Sequence, residues 1–126
     1  MQPIENVHGE MLRGDTPHWD PLLKVAPELV EHFMWMFEVE IDDGRRLHAF
    51  KHISTRRYLH LDHRGNAFAY VHRHRYRPID LACLLEEALR PWWEQLDATP
   101  EDVTACWMVI QRARRHADRD EGKPIA

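Results

Sequence analysis

Ten of the 126 residues are histidine. Six of these, His48, His52, His60, His63, His72 and His74, share a stretch with Arg45, Arg46, Arg56, Arg57, Arg64, Arg73, Arg75 and Arg77. An imidazole can move a proton near neutral pH, ligate a transition metal or stack as an aromatic ring. For metal binding the candidates are His48, His52, His60 and His72, which a sheet could bring near one another. No His-Glu-x-x-His helix, cysteine pair or facial-triad carboxylate accompanies them, so neither a metal site nor a cofactor is expected. For proton transfer, His48 with Glu38 and His60 with Asp62 are the pairs a sheet could hold together.

Covalent chemistry has little to build on. The sole serine, Ser54, stands beside Thr55, Arg56 and Arg57 without a nucleophile-elbow glycine pattern. Cys83 and Cys106 fall in apolar helical patterns without an electropositive neighbour, so both read as packed thiols. No phosphate-cradling glycine loop or dinucleotide fingerprint occurs. The catalytic residues are therefore unknown at this level, and a non-enzyme is the expectation.

The elements that must position these side chains follow from pattern. Residues 1–20 carry Pro3, Gly9, Gly14 and Pro17 without a period and read as an irregular arm. Leu22, Leu23, Val25, Leu29, Val30 and Phe33 predict one or two short helical pieces broken at Pro27. Alternating apolar and polar residues over 34–72 predict four strands, at 35–41, 46–53, 58–62 and 67–72. Gly44 and Gly65 sit where bulged hairpin turns need positive φ. Asp80 can cap a helix that Pro91 kinks or divides, and Thr99-Pro100-Glu101-Asp102 is a strong start signal for a last helix running to about His116. The tail 118–126 reads as frayed. Together these give one α+β domain over 1–126: a four-stranded antiparallel meander, with an N-terminal helical segment and two or three helices at 80–117 covering one sheet face.

Hairpin registers pairing Val39 with Leu47, Phe37 with Ala49, Leu61 with Ala67 and Leu59 with Ala69 collect the aliphatic residues under the helices. The other face then displays Arg46, His48, Phe50, His52, Tyr58, His60, Phe68, Tyr70 and His72, with Arg56 and Arg57 in the adjoining loop. A contiguous aromatic and cationic surface of this kind marks a contact site. The leading expectation is a binding module that meets a protein partner or a second copy of itself.

Charge supports an alternative. The net charge of −4 hides segments of −8 over 1–43, +8 over 45–77, −6 over 80–102 and +2 beyond. A basic stretch interleaved with aromatics can hold nucleic acid, although acidic flanks can also neutralise it within the fold. The string Arg64-Gly65-Asn66-Ala67-Phe68-Ala69-Tyr70-Val71 shares four positions with the first RNA-recognition-motif pattern but lacks two of its aromatics, and no family is assigned. A small enzyme with a His/carboxylate site on the sheet is the third reading. The longest apolar run, Phe33 to Phe37, is far too short to span a bilayer, and with no leader pattern a cytoplasmic and, from the Arg bias, bacterial protein is expected.

Overall fold

A computed structural model of the chain describes residues 6–12, 14 and 16–121, with side chains to residue 117. Six strands close into an antiparallel barrel in sequence order: β1 (Val7–Leu12), β2 (Phe33–Ile41), β3 (Arg46–His52), β4 (Tyr58–Asp62), β5 (Ala67–Tyr70) and β6 (Arg75–Ile79). A short helix α1 (Asp20–Val25) and a 3-10 segment (Pro27–His32) link β1 to β2, and α2 (Leu81–Gln95) and α3 (Pro100–Glu121) follow the barrel. The molecule is α+β as expected, but the four-stranded meander is corrected to a closed six-stranded barrel.

The two additional strands hid behind residues that ordinarily argue against a sheet. β1 lies in the segment read as an irregular arm and contains Gly9. A Cβ there would stand 2.7 Å from Val39 Cγ1 and 2.9 Å from Tyr76 Cε2, so only glycine lets β1 pass between β2 and β6. β6 carries Pro78, which cannot donate to a ladder. The β1–β6 ladder holds only Val7↔Tyr76 and His8↔Arg75, so Pro78 stands beyond its end and forfeits no bond to β1. A register shift between Trp35 and Phe37 bends β2 and assists closure.

Both glycine turns form as the sequence predicts, with Gly44 at φ 84 and Gly65 at φ 86. Val39↔Leu47, Phe37↔Ala49 and Leu61↔Ala67 pair, whereas the β4–β5 ladder stops at His60↔Phe68, short of Leu59 and Ala69. Between the two hairpins the register is Leu47↔Asp62, His48↔Leu61, Ala49↔His60 and Phe50↔Leu59. Leu59 and Leu61 therefore share a face with His48, Phe50 and His52, and Val39 and Leu47 share the other with His60 and Phe68.

Two cores result, and β3 and β4 are buried on both sides. Val39, Ile41, Leu47, Phe68 and Tyr76, backed by Val7 and Phe37, fill the barrel. Phe33, Phe50, Leu59, Leu61 and Ala67 on the outer wall pack against Leu22, Leu29 and the buried stripes of α2 and α3, including Leu85, Leu89, Trp92, Cys106 and Ile110. Asp80 caps α2 by accepting from Cys83 N (3.1 Å), and Pro91 is accommodated inside a single helix. Thr99 and Asp102 form a reciprocal capping box at α3 (3.0 and 3.1 Å), which continues through Glu121 where a frayed tail was expected; residues 122–126 lie outside the described residues. Arg112 of α3 grips Glu28 through two 2.7 Å bonds, tying that helix to the 3-10 segment.

Candidate functional site

The expected binding face is not one surface. The β3–β4 register sends Phe50, at 0% exposure, and the buried His48 and His52 toward the helical layer, and buried His60 and Phe68 toward the barrel interior. Arg46 is held by Glu38 (2.8 Å) and Glu40 (3.6 Å), and Arg57 stands 3.8 Å from Glu87. Arg56 occupies the β3–β4 loop at φ 64, and Tyr58 is half-buried, lying parallel to His60 with ring centroids 5.8 Å apart. The exposed members of that set are Arg46, the adjacent Arg56 and Arg57, and, on the other hairpin, Tyr70 and His72.

The outer wall instead assembles a histidine cluster from three chain segments. Trp35 Nε1 donates to His48 Nδ1 (3.1 Å), so neutral His48 carries its proton on Nε2, which lies 3.1 Å from His63 Nε2 and donates to it. His18 packs on His48 with ring centroids 4.9 Å apart. Burial, reinforced by the neighbouring charge of His63, pushes His48 down to about 4, while the Arg46 guanidinium holds Glu38 below the usual carboxylate range. Both nitrogens of His48 are consumed inside the protein. The ring is a packed and oriented group with no atom left for a substrate, although the Glu38–His48 juxtaposition anticipated from sequence is present.

His52 is satisfied at one nitrogen only, since its buried Nε2 has no hydrogen-bond partner among the described residues. Its Nδ1 accepts from Ser54 N and Thr55 N (3.1 Å each), its ring lies between Phe33, His32 and Trp92, and burial brings it to about 4. His72 lies in the exposed β5–β6 turn. His48, His52, His60 and His72 therefore do not converge, and among the described residues no group of three or more His, Cys, Asp or Glu is placed to hold a metal ion.

The largest departure from a bland surface is the β5–β6 hairpin. Arg75 N donates to His72 O (3.0 Å), closing a turn whose central residues, Arg73 (φ 51) and His74 (φ 62), both have positive φ. Such turns ordinarily use Asn-Gly, because a side chain in the left-handed region costs about 1–2 kcal/mol per residue. Here two cationic or titratable side chains occupy it. The turn is secured from below: Gly9 N donates to His74 O (2.8 Å), and His74 N to the Tyr70 hydroxyl (3.4 Å). Residues 70–75 are all exposed, and the side chains of Arg73, Arg75 and Arg77 make no ion pair or hydrogen bond among the described residues. None of Arg73, His74, Arg75 and Arg77 belongs to the expected face, although all four lie in the basic segment. The missed signal was the alternation Arg75-Tyr76-Arg77 past the turn, masked by Pro78.

Comparison of the chain with family models, curated proteins and solved structures finds no match.

A second basic feature lies toward the far end of β6. A cleft of about 540 Å³ between the barrel and the helices is lined by Lys24, Arg45, Arg64 and Arg112 over Phe68 and Ile79. Arg112 there is satisfied by Glu28 and Arg45 by Asp43 and Asp62, which leaves its field weaker than that of the hairpin. Among the described residues no helix is long and apolar enough to cross a membrane.

Proposed function

We propose that the protein binds nucleic acid through the β5–β6 hairpin, with Arg73, Arg75 and Arg77 contacting phosphates and Tyr70 offering a stacking surface. The observation that carries this reading is the Arg73-His74 turn. A strained backbone holding cationic side chains in water, where Asn-Gly would be relaxed, is retained for what those side chains touch. Unpaired arginines beside an exposed aromatic ring match the chemistry of a single strand, whose phosphates need cations and whose unstacked bases need flat partners. Partner binding through a continuous aromatic sheet face, the leading expectation from sequence, loses its surface because the register divides that face.

The test is fluorescence anisotropy with labelled mixed-sequence single-stranded RNA and DNA across a salt series. Replacing Arg73, Arg75 and Arg77 together by alanine is expected to weaken binding and to flatten the log K against log salt slope by about 2, at roughly 0.7 per lost contact on a single strand. Binding that ignores salt, a slope unchanged in the triple variant, or association with anionic vesicles but not with strands overturns the proposal.

A further inference from the structure

Beside the hairpin, the barrel wall is open. The β4–β5 ladder ends at His60↔Phe68, so Tyr58 and Tyr70, which would pair next but one along it, stand apart. The opening leads into a cavity of about 180 Å³ walled by Tyr58, Phe68, Ala69 and Tyr70 and roofed by Leu84 and Ala88 of α2, with Arg57 and Glu87 also on its lining. His60 lines the same cavity. It is 5% exposed, and although it touches the rings of Phe37, Tyr58 and Tyr76, neither ring nitrogen has a hydrogen-bond partner among the described residues. The His60 nitrogens are not sealed, unlike the buried and unpartnered His52 Nε2, so they are free to meet a polar group that enters the cavity.

We infer that this opening is a slot for one unstacked base of the bound strand, with Tyr58 and Phe68 beside the ring and His60 at its hydrogen-bonding edge. The volume is below the roughly 300 Å³ of a site for a whole small ligand, and so suits one planar ring system whose sugar and phosphate stay outside. Burial keeps His60 neutral, so its ring presents one donor and one bare acceptor, a combination that meets the mixed donor and acceptor edges of bases. An anionic or strongly cationic group would find no buried counter-charge on the floor. The mouth carries the Arg57–Glu87 ion pair and no net charge, and Tyr70 joins slot to hairpin because the same residue lines the cavity and accepts from His74 N. A strand lying along the arginines of the hairpin thus passes the slot.

This inference rests on the strand-binding proposal, and its test separates the two. Nucleosides carry no phosphate, so titrating the four of them at millimolar concentration into 15N-labelled protein reads the slot without the hairpin. Shifts centred on Tyr58, Ala69 and Leu84 are expected, and they should persist when Arg73, Arg75 and Arg77 are alanine. Ala69→Leu fills the slot while removing no contact; it should abolish the nucleoside shifts and weaken strand binding at least about fivefold with the salt slope unchanged. His60→Phe, which keeps the ring and removes both nitrogens, should do the same. Absence of nucleoside shifts in the slot, or strand affinity unaffected by Ala69→Leu, overturns the slot and leaves the hairpin reading standing. Nucleoside binding without strand binding overturns the strand and leaves a site for free bases.

Discussion

Lowering the pH from about 7.5 to about 5 should remove roughly 2 kcal/mol of stability for each of His48, His52 and His60, and so about 6 kcal/mol in all. Burial pushes all three down to about 4, against about 6.5 for an unfolded chain. Because the folded value is the lower one, the unfolded chain takes up the proton first. Their contribution is complete above about pH 6.5 and is lost as pH falls toward 4. Glu28 and Glu38, held low by Arg112 and Arg46, act in a different window, since their contribution is present above about 4.5 and fails only below it. His60 is the cleanest of the three: burial alone depresses it, whereas His48 also feels His63, Glu38, His18 and Arg46, and His52 feels His32 and Asp102. The assay is urea unfolding followed by tryptophan fluorescence at several pH values, for the wild type and His60→Phe. Against a typical total of about 5–15 kcal/mol, the wild type should approach its unfolding midpoint in mild acid. His60→Phe should retain about 2 kcal/mol more than the wild type over the same interval, whatever its stability at neutral pH. A flat wild-type profile between these pH values, or an unchanged pH dependence in the variant, would refute the assignment of neutral buried rings.

Three further outcomes follow from particular contacts. Replacing Arg73-His74 by Asn-Gly should stabilise the protein by about 2 kcal/mol in chemical denaturation while weakening strand binding, because the turn relaxes as it loses its cations. Gly9→Ala should cost about 1–3 kcal/mol in the same assay, since the added methyl meets Val39 and Tyr76 across the barrel seam. Trp35→Phe should cost about 1–3 kcal/mol by leaving His48 Nδ1 without its donor, and nitrogen chemical shifts of the imidazole should show the proton no longer confined to Nε2.

Local signals in the chain are legible, and the junctions between them are not. Gly44, Gly65, Asp80 and the Thr99–Asp102 box each act within four residues, so chemistry alone locates the turns and caps they make. The relation between the two hairpins depends on the segment 52–57, which has no glycine. There Arg56 takes the left-handed conformation at φ 64, and backbone bonds from His52 N to Arg57 O and from Arg56 N to His52 O set the length of the connection. A change of one residue in that connection inverts one hairpin relative to the other, which is why the pairs Val39↔Leu47 and Leu61↔Ala67 could both be correct while their common face was not. The histidine cluster was illegible for a related reason. His18 lies in the segment before α1 and His63 in a turn, so neither belongs to any period that could align it with His48.

An acidic protein that binds a polyanion needs its charge separated in space, and the fold performs that separation selectively. Arg45, Arg46 and Arg57 of the basic segment are neutralised by Asp43, Asp62, Glu38, Glu40 and Glu87, so three of the five cations in its early part contribute little external field. Arg90 and Arg114 are likewise absorbed by Glu86 and Glu94 on the helices. The +8 counted along 45–77 is therefore not the charge a ligand meets. Among the described residues six cations of the segment make no ion pair; Lys51, Arg56 and Arg64 are dispersed, whereas Arg73, Arg75 and Arg77 fall within five residues at the hairpin. At physiological salt, exposed charges more than about 8 Å apart are largely screened. A strand approaching the hairpin thus responds to that cluster and not to the −4 of the whole chain. The same reasoning makes the cleft at Lys24 and Arg64 the weaker attractor, because two of its four cations already hold carboxylates.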